Sequence, residues 1–222
     1  MQPWGAVRAR AEQRFRRWRL KDDAARLGFT IDWGIAPDAV IGRGVSVSGF
    51  APEGRTVVRI GSGVRLDDGV LFRLRGGAQI DIRARTHLRG QVVLNVAGRL
   101  EIHEDVNISW HSVIHAGDSI VIEREAGLGE MVCLIDSDHF RRSLHDNFLH
   151  NSRSAPIHIG RNSWVGAKAT VTKGVVIGDG ATIAAHSVVR ADVADGETVA
   201  GAPARVVGSA IEPAPEPSEA AP

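Results

Sequence analysis

A histidine-rich segment in the second half of the sequence holds the side chains best suited to chemistry. Residues 136–156 read DSDHFRRSLHDNFLHNSRSAP and contain three of the nine histidines. An imidazole titrates near neutral pH, so His139 could take the proton from a hydroxyl group as that hydroxyl attacks an electrophile. A carboxylate or a carbonyl must orient the second ring nitrogen, and Asp136 and Asp138 are nearby candidates in the sequence.

The chain on both sides of this segment repeats with a period of six residues. Aliphatic residues recur at every sixth position after residue 158, and the same spacing groups the earlier part of the chain into triplets. The seven triplets are Ile35/Ile41/Val47, Ile60/Leu66/Phe72, Ile82/Leu88/Leu94, Ile102/Ile108/Ile114, Ile122/Leu128/Leu134, Ile159/Val165/Val171 and Ile177/Ile183/Val189.

A period of six belongs neither to a helix nor to a simple strand. It is typical of one short strand followed by a corner, and three such units close a triangular turn of about 18 residues. The pattern therefore predicts an all-β protein, a parallel β-helix of about seven turns with Ile, Val and Leu stacked along its centre. A β-sandwich with chance periodicity is the alternative, and 21 positions in register argue against it.

The period divides the chain into three parts. The β-helix is predicted over residues 31–208, with a short break at residues 48–58 and an extruded loop at residues 136–156. Long insertions of this kind in a compact fold are usually functional or disordered. Residues 209–222 are rich in Pro, Ala and Glu and are predicted to be a disordered tail.

Residues 1–30 are predicted to form a basic helix, with the helical pattern running over residues 6–27. Its apolar stripe and its many arginines fit two roles, a cap over the open end of the β-helix or attachment to an anionic membrane surface. The stripe consists of Val7, Ala11, Phe15, Trp18 and Ala25.

Composition limits the class of protein further. The net charge is +1, which argues against a nucleic-acid-binding protein. Cys133 is the single cysteine, so no internal disulfide forms and a reducing compartment is expected. No apolar stretch approaches the roughly 20 residues that span a bilayer, and no secretory signal is recognised. We therefore expect a cytoplasmic protein.

The segment Ile159–Val207 closely resembles the end of hexapeptide-repeat acyltransferases, in particular the galactoside, maltose and polysaccharide O-acetyltransferases. Asn162-Ser163-Trp164-Val165-Gly166 and Gly201-Ala202-Pro203-Ala204-Arg205-Val206 carry the resemblance most specifically. It implies left-handed winding, a homotrimer, and transfer of an acetyl or other acyl group from acyl-coenzyme A to a hydroxyl of a sugar or glycan precursor. It also implies that acyl-coenzyme A is a co-substrate, that no cofactor or metal is bound, and that His139 is the catalytic base.

The resemblance further implies a donor groove between adjacent subunits. Ala167 and Ala185 would let the pantetheine arm approach the coils, Arg190 and Ala191 would follow on the next corner, and Arg205 would meet a coenzyme phosphate. Trp164 precedes an inward Val, so its ring is predicted to face outward as part of a ligand or subunit surface. Gly208 stands where related sequences can carry a second basic residue.

The remaining histidines leave alternatives open. His111 and His115 could line the acceptor pocket or be exposed coil residues, whereas His145 and His150 are predicted to be exposed in the loop. A zinc enzyme of the γ-carbonic anhydrase type would need three histidines on adjoining coil faces. His103, His139 and His145 come near such a spacing. A non-catalytic scaffold that has kept the coils is the other alternative.

Overall fold

The computed structural model describes residues 4–147, 149 and 151–210. It contains one α-helix and a parallel β-helix whose three sheets form the sides of a prism. Sheet A consists of β1 (Ile31–Ile35), β4 (Thr56–Ile60), β7 (Gln79–Ile82), β10 (Arg99–Ile102), β13 (Ser119–Ile122), β18 (Ile157–Ile159) and β21 (Val176–Ile177).

The other two sheets complete each turn. Sheet B consists of β2 (Val40–Ile41), β5 (Arg65–Leu66), β8 (His87–Leu88), β11 (Asn107–Ile108), β14 (Gly127–Leu128), β19 (Trp164–Val165), β22 (Thr182–Ile183), β24 (Glu197–Gly201) and β25 (Ala204–Ser209). Sheet C consists of β3 (Ser46–Phe50), β6 (Leu71–Arg75), β9 (Val93–Val96), β12 (Val113–Ala116), β15 (Cys133–Ile135), β20 (Thr170–Thr172) and β23 (Val188–Val189). The predicted β-helix of seven turns is confirmed.

The predicted aliphatic positions are register partners between neighbouring turns. Ile102 pairs with Ile122 in sheet A, Leu128 with Val165 in sheet B, and Leu134 with Val171 in sheet C. All of these side chains are buried. Each turn therefore places its aliphatic side chains directly on those of the turn before, which gives one continuous aliphatic core.

Most turns are longer than the three hexapeptides that the period predicts. Ile159 and Ile177 are register partners separated by three hexapeptides, whereas Ile82, Ile102 and Ile122 pair at intervals of 20. The longer turns extend sheets A and C by a second inward residue, such as Leu100 in sheet A. The first predicted break is shorter than expected, because β3 continues to Phe50 and β4 begins at Thr56.

Helix α1 (Trp4–Arg26) covers the first turn of the β-helix. Leu20 and Ala24 are buried against the core. The Gln13 side chain accepts a hydrogen bond from the Ile41 backbone N–H at 2.9 Å and donates one to its carbonyl at 3.1 Å. Arg17 donates to the carbonyls of Pro37 and Ala39. The helix thus satisfies polar groups at the open edge of sheet B.

Ala11, Phe15, Trp18 and Ala25 of the predicted apolar stripe face away from the coils. Ala11 and Ala25 are exposed, and the side chains of Phe15 and Trp18 remain 58% and 56% exposed. The side chains that pack against the coils are the buried Leu20 and Ala24 instead. The helix therefore caps the coils with one face and presents its aromatic residues to solvent with the other.

The C-terminal end is closed by an antiparallel pair. β25 folds back on β24, and the N–H of Ala210 donates to the carbonyl of Gly196 at 2.7 Å. The tail was predicted from residue 209, and Ser209 is the last residue of β25. Residues 211–222 lie outside the described part of the chain.

Between β15 and β18 the chain leaves the coils and forms a hairpin of β16 (Ser137–His139) and β17 (Ser152–Ser154). Asp136 is fully buried at its base, at the end of an inward row that begins with Leu74 and Val96. Its carboxylate accepts hydrogen bonds from the N–H groups of Gly117 and Asp118 at 2.7 and 2.8 Å. This carboxylate ties the hairpin to the preceding turn.

Replacing Asp136 with Ala leaves two N–H groups without their acceptor, so the free energy of unfolding should fall by about 2–4 kcal/mol. Urea unfolding followed by circular dichroism would measure the loss. Asp138→Ala is the matched control, because this exposed carboxylate contacts Arg153 and Lys173 on the surface and should change stability by less than about 1 kcal/mol. Equal losses in the two variants would contradict the anchoring role.

Candidate active site

A cavity of about 510 Å³ lies between the hairpin and sheet C. Sheet C contributes Arg73, Arg75, Asn95 and His115 to its lining, and the hairpin contributes His139 and Arg153. Phe50 lies at the end of β3 with its ring 56% exposed. The cavity therefore joins two imidazoles, three guanidinium groups and one aromatic surface.

The extruded hairpin positions His139. It is the last residue of β16 and pairs across the hairpin with Ser152. Its Nδ1 lies 3.3 Å from the backbone carbonyl oxygen of Asn151. When Nδ1–H donates to this carbonyl, the neutral imidazole has its basic lone pair on Nε2. This tautomer is suited to accepting a proton.

The two carboxylates considered for orienting His139 are engaged elsewhere. Asp136 is buried at the base of the hairpin and binds the backbone of Gly117 and Asp118. Asp138 pairs with Arg153 at 2.9 Å and Lys173 at 3.2 Å, and hydrogen bonds from these cations lower the pKa of its carboxyl group. The His139 ring instead contacts a carbonyl, the second kind of partner considered.

Strand register brings His115 into the same cavity. In sheet C, His115 pairs with Asn95 and Asn95 pairs with Arg73, so the three side chains form one outward column. His111 lies at the corner between sheets B and C, with a backbone φ of 60°. For both histidines the sequence left open a cavity-lining or an exposed position; His115 lines this cavity, whereas His111 is exposed at its corner.

Sequence reasoning did not select Arg73, Arg75, Asn95 or Phe50. The signal was present, because Arg73 follows the inward Phe72 as Asn95 follows Leu94 and His115 follows Ile114. The residue after each inward position of sheet C faces outward, since side chains alternate along a strand. Reading this column together with the aliphatic ladder would have found Arg73 and Asn95, whereas Arg75 and Phe50 form a separate register pair.

Ala167 and Ala185 were expected to contact the acyl donor from successive turns, and the structure stacks these two turns on each other. The N–H of His186 donates to the carbonyl of Ala167 at 2.9 Å, which places the turn that contains Ala185 directly on that of Ala167. Both residues lie at the corner between sheets B and C, and Ala185 is exposed. Trp164 is 47% exposed on sheet B. Its ring covers Gly127, where an added Cβ would lie 2.7 Å from a ring carbon.

The other three residues that were predicted to contact the acyl donor lie elsewhere on the chain. Arg190 and Ala191 are exposed at the opposite edge of sheet C, at the corner that leads to sheet A. Arg205 is exposed on β25 and donates to the carbonyl of Ala204 at 2.8 Å. A single chain therefore does not gather the predicted donor residues into one pocket.

Within the described ranges, no group of three or more His, Cys, Asp or Glu side chains is arranged to hold a metal ion. His103 lies on the sheet A side of the coils and pairs with Glu123, with 2.7 Å between Nδ1 and Oε2. His145 is exposed in the loop, and His150 lies outside the described residues. Among the described residues, the structure therefore does not bring His103, His139 and His145 together as zinc ligands. No helix among the described residues is both long and apolar enough to cross a membrane.

The repeat belongs to a known type. Residues 156–191 match the family model of the bacterial transferase hexapeptide (six repeats). The chain is 27% identical over 124 residues to the putative lipopolysaccharide biosynthesis O-acetyl transferase WbbJ of Escherichia coli (strain K12), covering 51% of this chain and 63% of that protein. It is 28% identical over 159 residues to the probable acetyltransferase Rv3034c of Mycobacterium tuberculosis (strain ATCC 25618 / H37Rv), covering 69% and 50%. The match thus spans less than two thirds of each relative.

Solved structures share the fold. The polySia specific acetyltransferase NeuO superposes with a TM-score of 0.57 at 19% identity, covering 86% of this chain and 91% of that chain. An acetyltransferase-type protein of Bacillus cereus, the product of the BC4754 gene, superposes with a TM-score of 0.54 at 17% identity, covering 78% and 84%. The resemblance to hexapeptide-repeat acetyltransferases is confirmed for the repeat and the fold.

Proposed function

We propose that this chain is an acyltransferase that moves an acetyl or other acyl group from acyl-coenzyme A to a hydroxyl group of a sugar or glycan. The hexapeptide match and the acetyltransferase names of the relatives support the reaction class. The observation that carries the proposal is the position of His139, on a hairpin at the wall of a cavity with its Nδ1 beside a backbone carbonyl.

In the proposed reaction Nε2 of His139 takes the proton from the acceptor hydroxyl as its oxygen attacks the thioester carbonyl. The carbon–sulfur bond then breaks, the acyl group stays on the acceptor oxygen, and the thiolate of coenzyme A leaves. The imidazolium returns the proton to that thiolate. The neutral imidazole is restored, so no other acid or base is required.

Replacing His139 with Ala should lower kcat by about 10²–10⁴-fold, the usual contribution of a general base. Release of free coenzyme A against a panel of sugars and glycan precursors measures the rate. His145→Ala is the matched control, because His145 is exposed on the same loop. The melting temperatures of both variants should stay near that of the native protein. If His139→Ala keeps most of the activity, the base lies elsewhere, and His115 in the same cavity is the next candidate.

We further propose that the active site forms between two subunits of a homotrimer. The alanine pair lies before the N-terminal ends of the sheet C strands, and His139 lies beyond their C-terminal ends. The length of the extended strands separates these two positions by roughly 15–20 Å. The outward face between them bears the partly exposed apolar residues Val93, Val113 and Cys133. Such a face is suited to packing around a threefold axis. Packing would set the alanine pair of one subunit beside the His139 of the next.

Mixed trimers test this arrangement. Ala185→Trp should block the pantetheine path and raise the KM for acyl-coenzyme A, whereas Ala185→Ser should stay near native. When His139→Ala and Ala185→Trp subunits are unfolded and refolded together, each mixed trimer should contain one interface with both native residues. Equal mixing then restores about one quarter of native activity in a C3 ring. Activity no greater than the average of the two parent variants would place both residues of the site in one subunit.

The outer face of α1 supports a third proposal, attachment of the protein to the cytoplasmic side of an anionic membrane. The helix carries eight basic and three acidic residues. Phe15 and Trp18 stack with 5.8 Å between ring centroids and point away from the coils. Arg14 and Lys21 are exposed on the same helix. Aromatic residues flanked by basic side chains are typical of helices that lie in a membrane interface.

The double variant Phe15→Ser/Trp18→Ser should lose sedimentation with vesicles that contain phosphatidylglycerol. The native protein should bind these vesicles, bind pure phosphatidylcholine weakly, and dissociate as salt screens the basic residues. Leu144→Ser, a change at a 90% exposed leucine in the loop, is the control. Native binding by the double variant would overturn the proposal. Dissociation of the oligomer in the double variant would also overturn the proposal, because it would show that Phe15 and Trp18 form a subunit contact.

A further inference from the structure

The strongest unassigned feature is the positive charge of the cavity that holds His139. Arg73 and Arg75 both point outward from β6 and are exposed. Arg73 belongs to the same outward column as His115, two strands away, and Arg75 pairs in register with Phe50. Two strand spacings amount to about 10 Å, so Arg73 and His115 are separated by about the length of a small sugar.

Several other arginines of the coils are neutralised by carboxylates. On sheet A, Arg59 pairs with Asp32 at 2.8 Å and Arg99 pairs with Glu101. At a corner, Arg85 pairs with Asp105. Among the residues that the structure describes, neither Arg73 nor Arg75 has a carboxylate within ion-pair distance, and no Asp or Glu lines the cavity. The fold thus leaves positive charge uncompensated at this wall of the cavity.

The third arginine of the cavity has a different environment. Arg153 donates to Asp138 at 2.9 Å, and its guanidinium lies 5.4 Å from the centre of the Phe140 ring. Asp138 also contacts Lys173. These contacts engage the Arg153 guanidinium within the hairpin, where Asp138 is its cross-strand partner. Arg153 therefore belongs to the structure of the hairpin, whereas Arg73 and Arg75 are available to a ligand.

From these contacts we infer that the acceptor is an acidic sugar, whose carboxylate or phosphate group binds Arg73 and Arg75. Arginine binds both groups through paired N–H donors, so the geometry selects an oxyanion rather than one particular acid. The exposed ring of Phe50 offers an apolar surface for the sugar beside it. The inference rests on the proposed acyltransferase function, and it names the class of acceptor for the same site.

The experiment compares three acceptors, glucuronic acid, galactose 6-phosphate and neutral galactose, in the coenzyme A release assay with acetyl-coenzyme A. The native protein should use at least one acidic sugar with a kcat/KM at least about tenfold above galactose. The double variant Arg73→Ala/Arg75→Ala should raise the KM for that acidic sugar by about 10–100-fold, the range expected for hydrogen bonds to charged groups. The KM for acetyl-coenzyme A should not change. The better of the two acidic substrates identifies a carboxylate or a phosphate.

Arg65→Ala is the matched control. Arg65 belongs to the same turn, is exposed, and faces outward from sheet B. It should leave every kinetic constant unchanged. Preference for galactose over both acidic sugars, or an unchanged KM in the double variant, would overturn the inference.

Calorimetry with the two acidic sugars separates this inference from the reaction itself. Binding that is present in the native protein and lost in the double variant supports an anion site, even if no acyl transfer is detected. Acyl transfer to neutral sugars, with no binding of the acidic ones, refutes the anion site while leaving the acyltransferase function intact.

Discussion

The coils and the cavity of this protein depend on the register between successive turns. An inward Ile, Val or Leu lies on its counterpart in the next turn, as Ile102 lies on Ile122 and Leu134 on Val171. Burial of these aliphatic side chains is the main favourable contribution, at about 25 cal/mol for each Å² removed from water. Because the side chains of a strand alternate, fixing the inward residues also fixes every outward residue. The core therefore determines which polar side chains meet on the surface.

The cavity illustrates this consequence. Arg73, Asn95 and His115 are far apart in sequence, and the paired strands bring them into one column. The hairpin adds His139 from the end of a later turn. Asp136 connects the two, because its carboxylate ends an inward row of the core and binds the backbone of the preceding turn. The position of the proposed base is thus coupled to the packing of the coils.

The sequence predicted the core better than the surface for a physical reason. A period of six is enough to identify the inward residues, and each of the seven triplets occupies its predicted register. Turn length was harder, because extra inward residues such as Leu100 lengthen sheets A and C without breaking the aliphatic pattern. The sequence predicted an apolar stripe on α1, but amphipathicity alone does not show which face of a helix packs against its neighbour. Hydrogen bonds from Gln13 and Arg17 to the first turn decided the orientation, and no periodicity reveals these.

The same reasoning explains why the candidate site could be predicted only in part. The resemblance to the acyltransferases implied His139, Ala167 and Ala185, and the spacing of three hexapeptides between the two alanines equals one turn in this part of the coil. The arginine pair was missed because the aliphatic period identifies the inward residues and does not show which outward residues line a cavity. The alanine pair and His139 also lie at opposite ends of the sheet C strands. A parallel β-helix cannot bend to bring these two ends together, since each turn is fixed by the next. In the proposed homotrimer, a second subunit packed on the partly apolar outward face of sheet C would supply the missing half of the site.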